Sequence, residues 1–536
     1  MKKIKLLTTL LFATFCLNAA TIIISGNITT NTSWINTNLY ILLGEVYVKN
    51  GATLTIQEGT IIEGDKNSTR PCLIITKGAK INAIGTPANP IVFTSNQSPG
   101  SRNPGDWGGV VILGKAPNND PSGIKSVEGL PASTDTDFGG TDPADNSGVM
   151  KYVRIEFGGI AFAPNQEING LTLGSVGNGT VLENIQVSYS GDDAFEWFGG
   201  TVKCKNLISY HNLDDDFDTD YGYSGKVQFG VCLRHPNLAD VSGSNGFESD
   251  NDAGGTFNNP RTSVVFSNMT LIGPKATLAA SVNSNFKRGE HTRRSSISSI
   301  FNSIIMGWPI GLYLDGNNCE NAAMNDSFQF ISNVIAGCNI PLIASSAGAI
   351  DSLIGMETFF TTKALGSMRY VNANDTVKLT NPFDTASFNP LPLLTSAMLS
   401  GSSFTSAKLN GFENVNYRGA FGTTNWMDSW SSFTPKTNVY KEKTAGIKNN
   451  ILSHIEISMY PNPATTYVNI VANVNSGGKI NIQINDLIGR VFIQEKHDVI
   501  IGQNNFVIPT SQLTPGIYVV NASDENGIST QTIKIK

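Results

Sequence analysis

Leu182-Glu183-Asn184-Ile185 is echoed by Cys204-Lys205-Asn206-Leu207, Phe266-Ser267-Asn268-Met269, Ile300-Phe301-Asn302-Ser303-Ile304 and Ile331-Ser332-Asn333-Val334. In each, an Asn precedes an apolar strand. Successive asparagines are 22, 62, 34 and 31 residues apart. The first, third and fourth spacings suit one coil of a parallel β-helix with loops of variable size, and 62 suits two or more. An Asn at a fixed turn adopts the left-handed conformation at low cost. Its side-chain amide is then expected to bond the Asn of the next coil, forming a ladder. The pattern reads as an all-β chain built on a right-handed parallel β-helix, and the recurring Asn-plus-apolar signature favours it over a jelly roll or a string of sandwiches.

Working outward, Val48-Lys49-Asn50-Gly51-Ala52-Thr53-Leu54-Thr55-Ile56 is echoed by Ile75-Thr76-Lys77-Gly78-Ala79-Lys80-Ile81-Asn82-Ala83, 27 residues on. The helix is therefore expected over 21–382. The stretch 383–440 is aromatic and irregular, with Tyr417-Arg418-Gly419-Ala420-Phe421-Gly422 and Trp426-Met427-Asp428-Ser429-Trp430, and reads as its C-terminal cap. Residues 441–457 read as a linker. From 458 to 536, short alternating strands with Gly/Pro punctuation read as a small immunoglobulin-like β-sandwich.

At the other end, Lys2, Lys3 and Lys5 precede an apolar run from Leu6 to Leu17, and Ala19-Ala20 follow. This is a signal peptide over 1–20, too short in its apolar part to span a membrane. No later segment is apolar and long enough to span either. The net charge of −6 disfavours nucleic acid as a partner. Five cysteines remain after cleavage: Cys72, Cys204, Cys232, Cys319 and Cys338. An odd count leaves at least one thiol unpaired, and Cys319 with Cys338 is the candidate pair.

Chemistry concentrates between residues 190 and 252, where twelve acids face four bases. Asp192-Asp193-Ala194-Phe195-Glu196 superposes on Asp214-Asp215-Asp216-Phe217-Asp218 at an offset of 22. Asn245-Gly246-Phe247-Glu248 superposes on Asp215-Asp216-Phe217-Asp218 at 30. Glu196, Asp218 and Glu248 should therefore share one column, and Phe195, Phe217 and Phe247 the next, facing the core. Asp214, Asp216, Asp218 and Asp220 have period two, which places them on one face of a strand. Like charges stacked ~5 Å apart need compensation. A hard cation with oxygen ligands, Ca2+, supplies it. Glu248-x-Asp250-x-Asp252-x-Gly254 repeats the spacing of Asp216-x-Asp218-x-Asp220-x-Gly222 at offset 32, which leaves the register open. The expected metal set is Asp192, Asp193, Glu196, Asp214, Asp216, Asp218, Asp220, Glu248, Asp250 and Asp252. The alternatives are a solvated acidic loop or pairing with Lys and Arg.

Two resemblances bear on location. Met459-Tyr460-Pro461-Asn462-Pro463-Ala464, then Asp486-Leu487-Ile488-Gly489-Arg490, then Leu513-Thr514-Pro515-Gly516-Ile517-Tyr518 and a basic end resemble the C-terminal sorting domain of the type IX secretion system of Bacteroidota. That resemblance implies handling by the type IX machinery, removal of the domain, and a secreted or outer-membrane cell-surface protein. Gly105-Asp106-Trp107-Gly108-Gly109, Lys151-Tyr152-Val153-Arg154-Ile155-Glu156-Phe157 and Tyr417-Arg418-Gly419-Ala420-Phe421 resemble an exported β-helix family of Bacteroidota, which implies fold and location but no activity.

Two function classes follow. The first is a non-catalytic adhesin, glycan-binding or structural rod, for which Trp107, Trp197, Trp308 and Trp426 are candidate sugar platforms. The second is a calcium-dependent polysaccharide lyase, with Lys287, Arg288, Arg293 and Arg294 as candidate bases, or a glycoside hydrolase, for which Asp192-Asp193 is faintly similar to the paired acids but no Gly-His-Gly occurs. No G-x-S-x-G or H-E-x-x-H occurs, and histidine is scarce. The balance favours the rod, with no catalytic residue assigned.

Overall fold

A computed structural model describes residues 20–163, 166–345, 353–440, 447–448, 455–474, 477–486, 490–524 and 528–536. The expected signal peptide, with Cys16, lies outside them except for Ala20. The first strand, Thr21–Ile28, opens directly after that residue.

Most strands form one continuous parallel sheet wound into coils, a parallel β-helix as expected. Each coil lays strands on three faces in a fixed order. Thr32–Trp34, Thr53–Ile56 and Lys80–Ile84 begin the first face. Ile61–Gly64 and Ile91–Ser95 lie on the second face, and Cys72–Ile75 and Val110–Leu113 on the third. The third face continues through Leu171–Gly174, Phe195–Phe198, Phe217–Asp220, Phe247–Ser249, Arg288–Thr292, Ile310–Leu314 and Ile340–Ala344.

The corner between the first and second faces needs no loop. Val181–Ser188 and Lys203–Tyr210 bend within the strand, at Asn184 (φ 55°) and Asn206 (φ 59°). These two residues are register neighbours, since Glu183 pairs with Lys205 and Ile185 with Leu207. Asn268 and Asn302 take the same corner with φ 55° and 53°. The signature differs from expectation in two coils. Phe229 (φ 62°) stands between Asn206 and Asn268, so the spacing of 62 covers two coils. In the last repeat Ser332, not Asn333, takes the left-handed position (φ 59°). The expected amide ladder does not run along this corner. Asn268 Nδ2 donates to Tyr417 O (2.9 Å) and Asn302 Nδ2 to Ser403 O (3.1 Å), in a segment laid over the corner.

That segment is 383–440, and it corrects a second expectation. It does not close the end of the helix. It runs back along the side: Arg418 bonds Ser332 O, Glu413 N bonds Gln228, Ser432 N bonds Gln186, and Tyr440 Oη bonds Glu156 (2.7 Å). The last third-face strand is instead packed by the helix Leu353–Thr362, which buries Met356 and Phe359 in the main core. Ile447–Lys448, within the expected linker, pair in parallel with Thr21 and Ile22.

The core is filled by inward columns. On the third face Leu171, Phe195, Phe217 and Phe247 follow one another, with Phe195 and Phe217 rings stacked at 5.7 Å. Trp107, Trp197 and Trp308 are fully buried and are not platforms, whereas Trp426 is partly exposed. The five cysteines of the described chain are buried and free, so Cys319 and Cys338 do not pair. Alternation along third-face strands explains the sidedness: Phe195 and Trp197 point in, Glu196 out. The C-terminal region has its own core and two antiparallel sheets. One contains Ile455–Tyr460, Tyr467–Val474 and Gly502–Pro509; the other contains Val491–Val499, Gly478–Asn485, Gly516–Ser523 and Ile528–Ile535. This is the expected sandwich.

Candidate functional site

The outward side of the third face changes character along the helix. Its early coils are apolar. They are covered by an insertion over 114–147, whose Val127, Leu130 and Phe138 pack with Ile74, Leu113 and Phe198. Beyond that cover the outward column becomes Glu196, Asp218, Glu248 and then His291, each the register partner of the next. The pairing fixes the offset at 30 between Asp218 and Glu248, so the alternative register at 32 is excluded.

A ladder does exist, two residues before the aromatic column. Asn169 Oδ1 accepts from Asp193 N (3.2 Å), Asp193 Oδ1 accepts from Asp215 N (2.7 Å), and Asp215 Oδ1 accepts from Asn245 N. Each side chain takes a backbone donor of the next coil. This places Asp193 and Asp215 beside the outward acids, where their remaining oxygens face the same space.

Of the ten expected ligands, four are engaged by protein groups. Asp216 does not share the outward face, because residues 214–216 precede the strand and the chain turns there. Its side chain goes inward, to Arg234 Nη1 (3.0 Å) and Ser209 Oγ. Glu248 is held by His291 Nδ1 (3.1 Å), Arg293 and Asn245 Nδ2 (2.9 Å). Asp250 binds Arg293 (2.7 Å) and Arg294 (2.9 Å). Asp252 closes its own loop by accepting from the backbone N–H groups of Gly254 and Thr256.

The other six have no side-chain ion pair with an arginine among the described residues, and five of them cluster. Asp193, Glu196 and Asp218 bring ligand oxygens within 4.8 Å of one another, as do Asp192, Asp193 and Asp214. A third such group, Asp215, Asp218 and Glu248, shares Asp218 but includes the neutralised Glu248. Asp218 Oδ1 is shielded from solvent and has no hydrogen-bond partner. Asp220 stands two residues along the same outward side and accepts from Tyr221 N (2.5 Å).

Electrostatics separates the two halves of the column. Burial raises the carboxyls of Asp193, Glu196 and Asp218 well above their usual range, and neighbouring carboxylates raise them further. Asp220 is pushed up to about 8 by burial and by Asp250. Asp214 rises to about 6 through burial. Glu248 goes the other way: burial opposes its charge, but His291 and Arg293 prevail and hold it below its ordinary value. Glu128 and Glu167 escaped the sequence reading. Glu128, in the insertion, is raised to about 7 by burial and by Glu167, and its charge is the largest neighbouring contribution on Glu196. Neither lies in a repeat, so no periodicity marks them. Asp215 was legible, since it aligns with Asp193 at offset 22 and with Asn245 at 30.

A family profile described as a pectate-lyase-like beta helix domain matches residues 26–370. The chain belongs to that family. The match covers all three faces and the whole acidic column. A second profile, a secretion system C-terminal sorting domain, matches residues 458–536. The chain is therefore an exported, secreted or cell-surface β-helix protein whose tail is handled by the type IX secretion machinery. A comparison with curated proteins gives no match. Among the described residues, no helix is long and apolar enough to cross a membrane.

The donor set suits a hard cation. Asp193, Glu196 and Asp218 offer only carboxylate oxygens, with no thiolate or imidazole among them, and one of those oxygens is shielded and unpaired.

Proposed function

We propose that this exported family member is a non-catalytic surface protein, an adhesive or glycan-binding rod, whose third face holds a Ca2+ ion between Asp193, Glu196 and Asp218. The observation that carries the reading is Asp218. It stands between Glu196 and Glu248 in register, with a shielded oxygen that no protein donor reaches. A divalent ion at that point would offset the burial and the mutual repulsion that raise these carboxyls. The case against catalysis is the fate of the bases. Arg293 and Arg294 are tied to acids, and His291 is clamped between Glu248 and Asp315 (3.0 Å). A base already neutralised by ion pairs is a poor proton acceptor.

One observation favours a second reading, a calcium-dependent polysaccharide lyase. Arg288 follows Asn245 in the ladder column, one coil from Glu248, and its buried Nε has no hydrogen-bond partner. Calorimetric titration of the full chain with CaCl2, paired with a polysaccharide-degradation screen with and without Ca2+, tests both. Saturable calcium binding without product supports the rod. Calcium-dependent release of unsaturated oligosaccharides would replace it with the lyase, and no calcium binding would end both.

A further inference from the structure

The segment 383–440 does more than brace the corner between the first and second faces. Where it crosses Asn206 and Phe229 it stands off and roofs a cavity of about 510 Å³, within the size range of small-ligand pockets. The floor is the helix itself, at Lys205, Asn206 and Phe229. The roof is Tyr417, Trp426 and the Gly422–Thr424 turn. This site lies on a different face from the acidic column and shares no residue with it.

The lining is of two kinds. The first is aromatic. The Tyr417 ring sits 6.2 Å from that of Phe229, and Gly422 keeps it there, because a Cβ at 422 would approach the Tyr417 ring to 2.8 Å. Trp426 is fixed from behind by Phe421, stacked at 5.1 Å, and by its Nε1 donating to Ala420 O (2.8 Å). Both rings are partly exposed and anchored, so they are rigid apolar plates at the rim of a wet cavity. The second kind is polar. Asn206 Oδ1 is buried without a hydrogen-bond donor. Lys205 Nζ and Glu413 pair across the mouth at 2.6 Å, and the backbone of Glu413 is clipped to Gln228 by two hydrogen bonds. The pocket thus has flat faces, an unsatisfied acceptor, hydroxyls at Thr423 and Thr424, and charges that cancel.

We propose that this corner pocket binds an uncharged glycan chain, its sugar rings lying on Tyr417 and Trp426 and a hydroxyl donating to Asn206 Oδ1. Cancelled charge disfavours uronates, sulfated sugars and phosphates, and the hydroxyl-rich lining disfavours a purely apolar ligand. The proposal rests on the surface-binding part of the reading above and is independent of calcium, so the two can fail separately.

The test is titration of the full chain, by intrinsic tryptophan fluorescence and by calorimetry, with cellohexaose, mannohexaose, maltohexaose, xylohexaose and, as the charged control, hexagalacturonate. Saturable binding of at least one neutral oligosaccharide is expected, unchanged by EDTA. Tyr417→Ala is expected to weaken it about tenfold, in keeping with the loss of one stacking platform. Asn206→Asp, which keeps the acceptor and adds a charge, is expected to retain binding within about threefold, whereas Asn206→Gly, which tolerates the left-handed corner and removes the acceptor, abolishes it. The Tyr417 backbone contact to Asn268 does not depend on its ring, and an unchanged melting curve for each variant secures the comparison. Binding by hexagalacturonate alone, no saturable binding by any of the five, or neutral binding that survives both Tyr417→Ala and Asn206→Gly would overturn the proposal.

Discussion

Asp216 and Arg234 form an ion pair of 3.0 Å with both side chains wholly removed from solvent. The pair ties the turn before Phe217–Asp220 to the end of the neighbouring second-face strand, and Arg234 adds bonds to the carbonyls of Leu213 and Asp214. Burial pushes the Asp216 carboxyl upward while Arg234 and Ser209 oppose it.

Removing one partner of a buried pair strands the other. Asp216→Ala is expected to destabilise the helix by about 3–5 kcal/mol. Thermal or denaturant unfolding measures it, and Asp252→Ala, which opens only a local loop, is expected to cost less. A cost for Asp216→Ala below that of Asp252→Ala would refute the structural role.

Calcium dependence should localise to the outward column. At free Ca2+ a hundred times its dissociation constant, binding adds about 2.7 kcal/mol. The combined variant Glu196→Gln, Asp218→Asn is expected to melt alike in chelator and in calcium, since the amides keep the shape and remove the ligands. Glu248→Gln, whose carboxylate is already paired with Arg293, is expected to keep most of the calcium response. A parent melting curve that ignores chelation would dispose of the site.

The pH dependence follows from the raised carboxyls, with the sign fixed by linkage. Asp220 and Glu290 are each pushed to about 8 in the fold, by burial first. Their unfolded values lie near 4, so between about 4 and 8 the unfolded chain has lost protons that the folded chain retains. In chelator, stability from these groups should therefore be greatest below about pH 4 and fall as the pH rises to 8. Calcium should flatten the part owed to the outward acids. It should not flatten the part owed to Glu290, which faces the core between Phe247 and Leu312. Glu290→Gln is expected to equal the parent at about pH 4 or below and to exceed it increasingly up to pH 8. A melting temperature in chelator that rises from pH 5 to pH 8 would contradict this.

Processing is checkable by mass. The sorting domain at 458–536 has its own core and sheets. Mass spectrometry of the native exported form is expected to find a C-terminus between 441 and 458. Intact Lys536 on most surface copies would count against removal.

Much of this was legible in the amino-acid sequence, and the reason is translational symmetry. In a parallel β-helix, register partners sit a whole coil apart, so a side chain repeats its role wherever the residue type repeats. Phe195, Phe217 and Phe247 could be stacked on paper, and Glu196, Asp218 and Glu248 with them, because each coil reuses one geometry. The sorting tail was legible for a different reason: its motifs are contiguous. What repeats cannot encode, only the tertiary structure decided. The period-two rule holds inside a strand, but Asp214 and Asp216 lie in the turn before it, so Asp216 points to the core. Arg293 and Arg294 reach Asp250 from 43 and 44 residues away, a separation with no periodic signature. Glu128 reaches the acids from an insertion, and the 383–440 segment folds back over coils formed some 200 residues earlier. Strand spacing and side-chain alternation set the columns. Loop packing chose which carboxylates were neutralised and which were left to face one another.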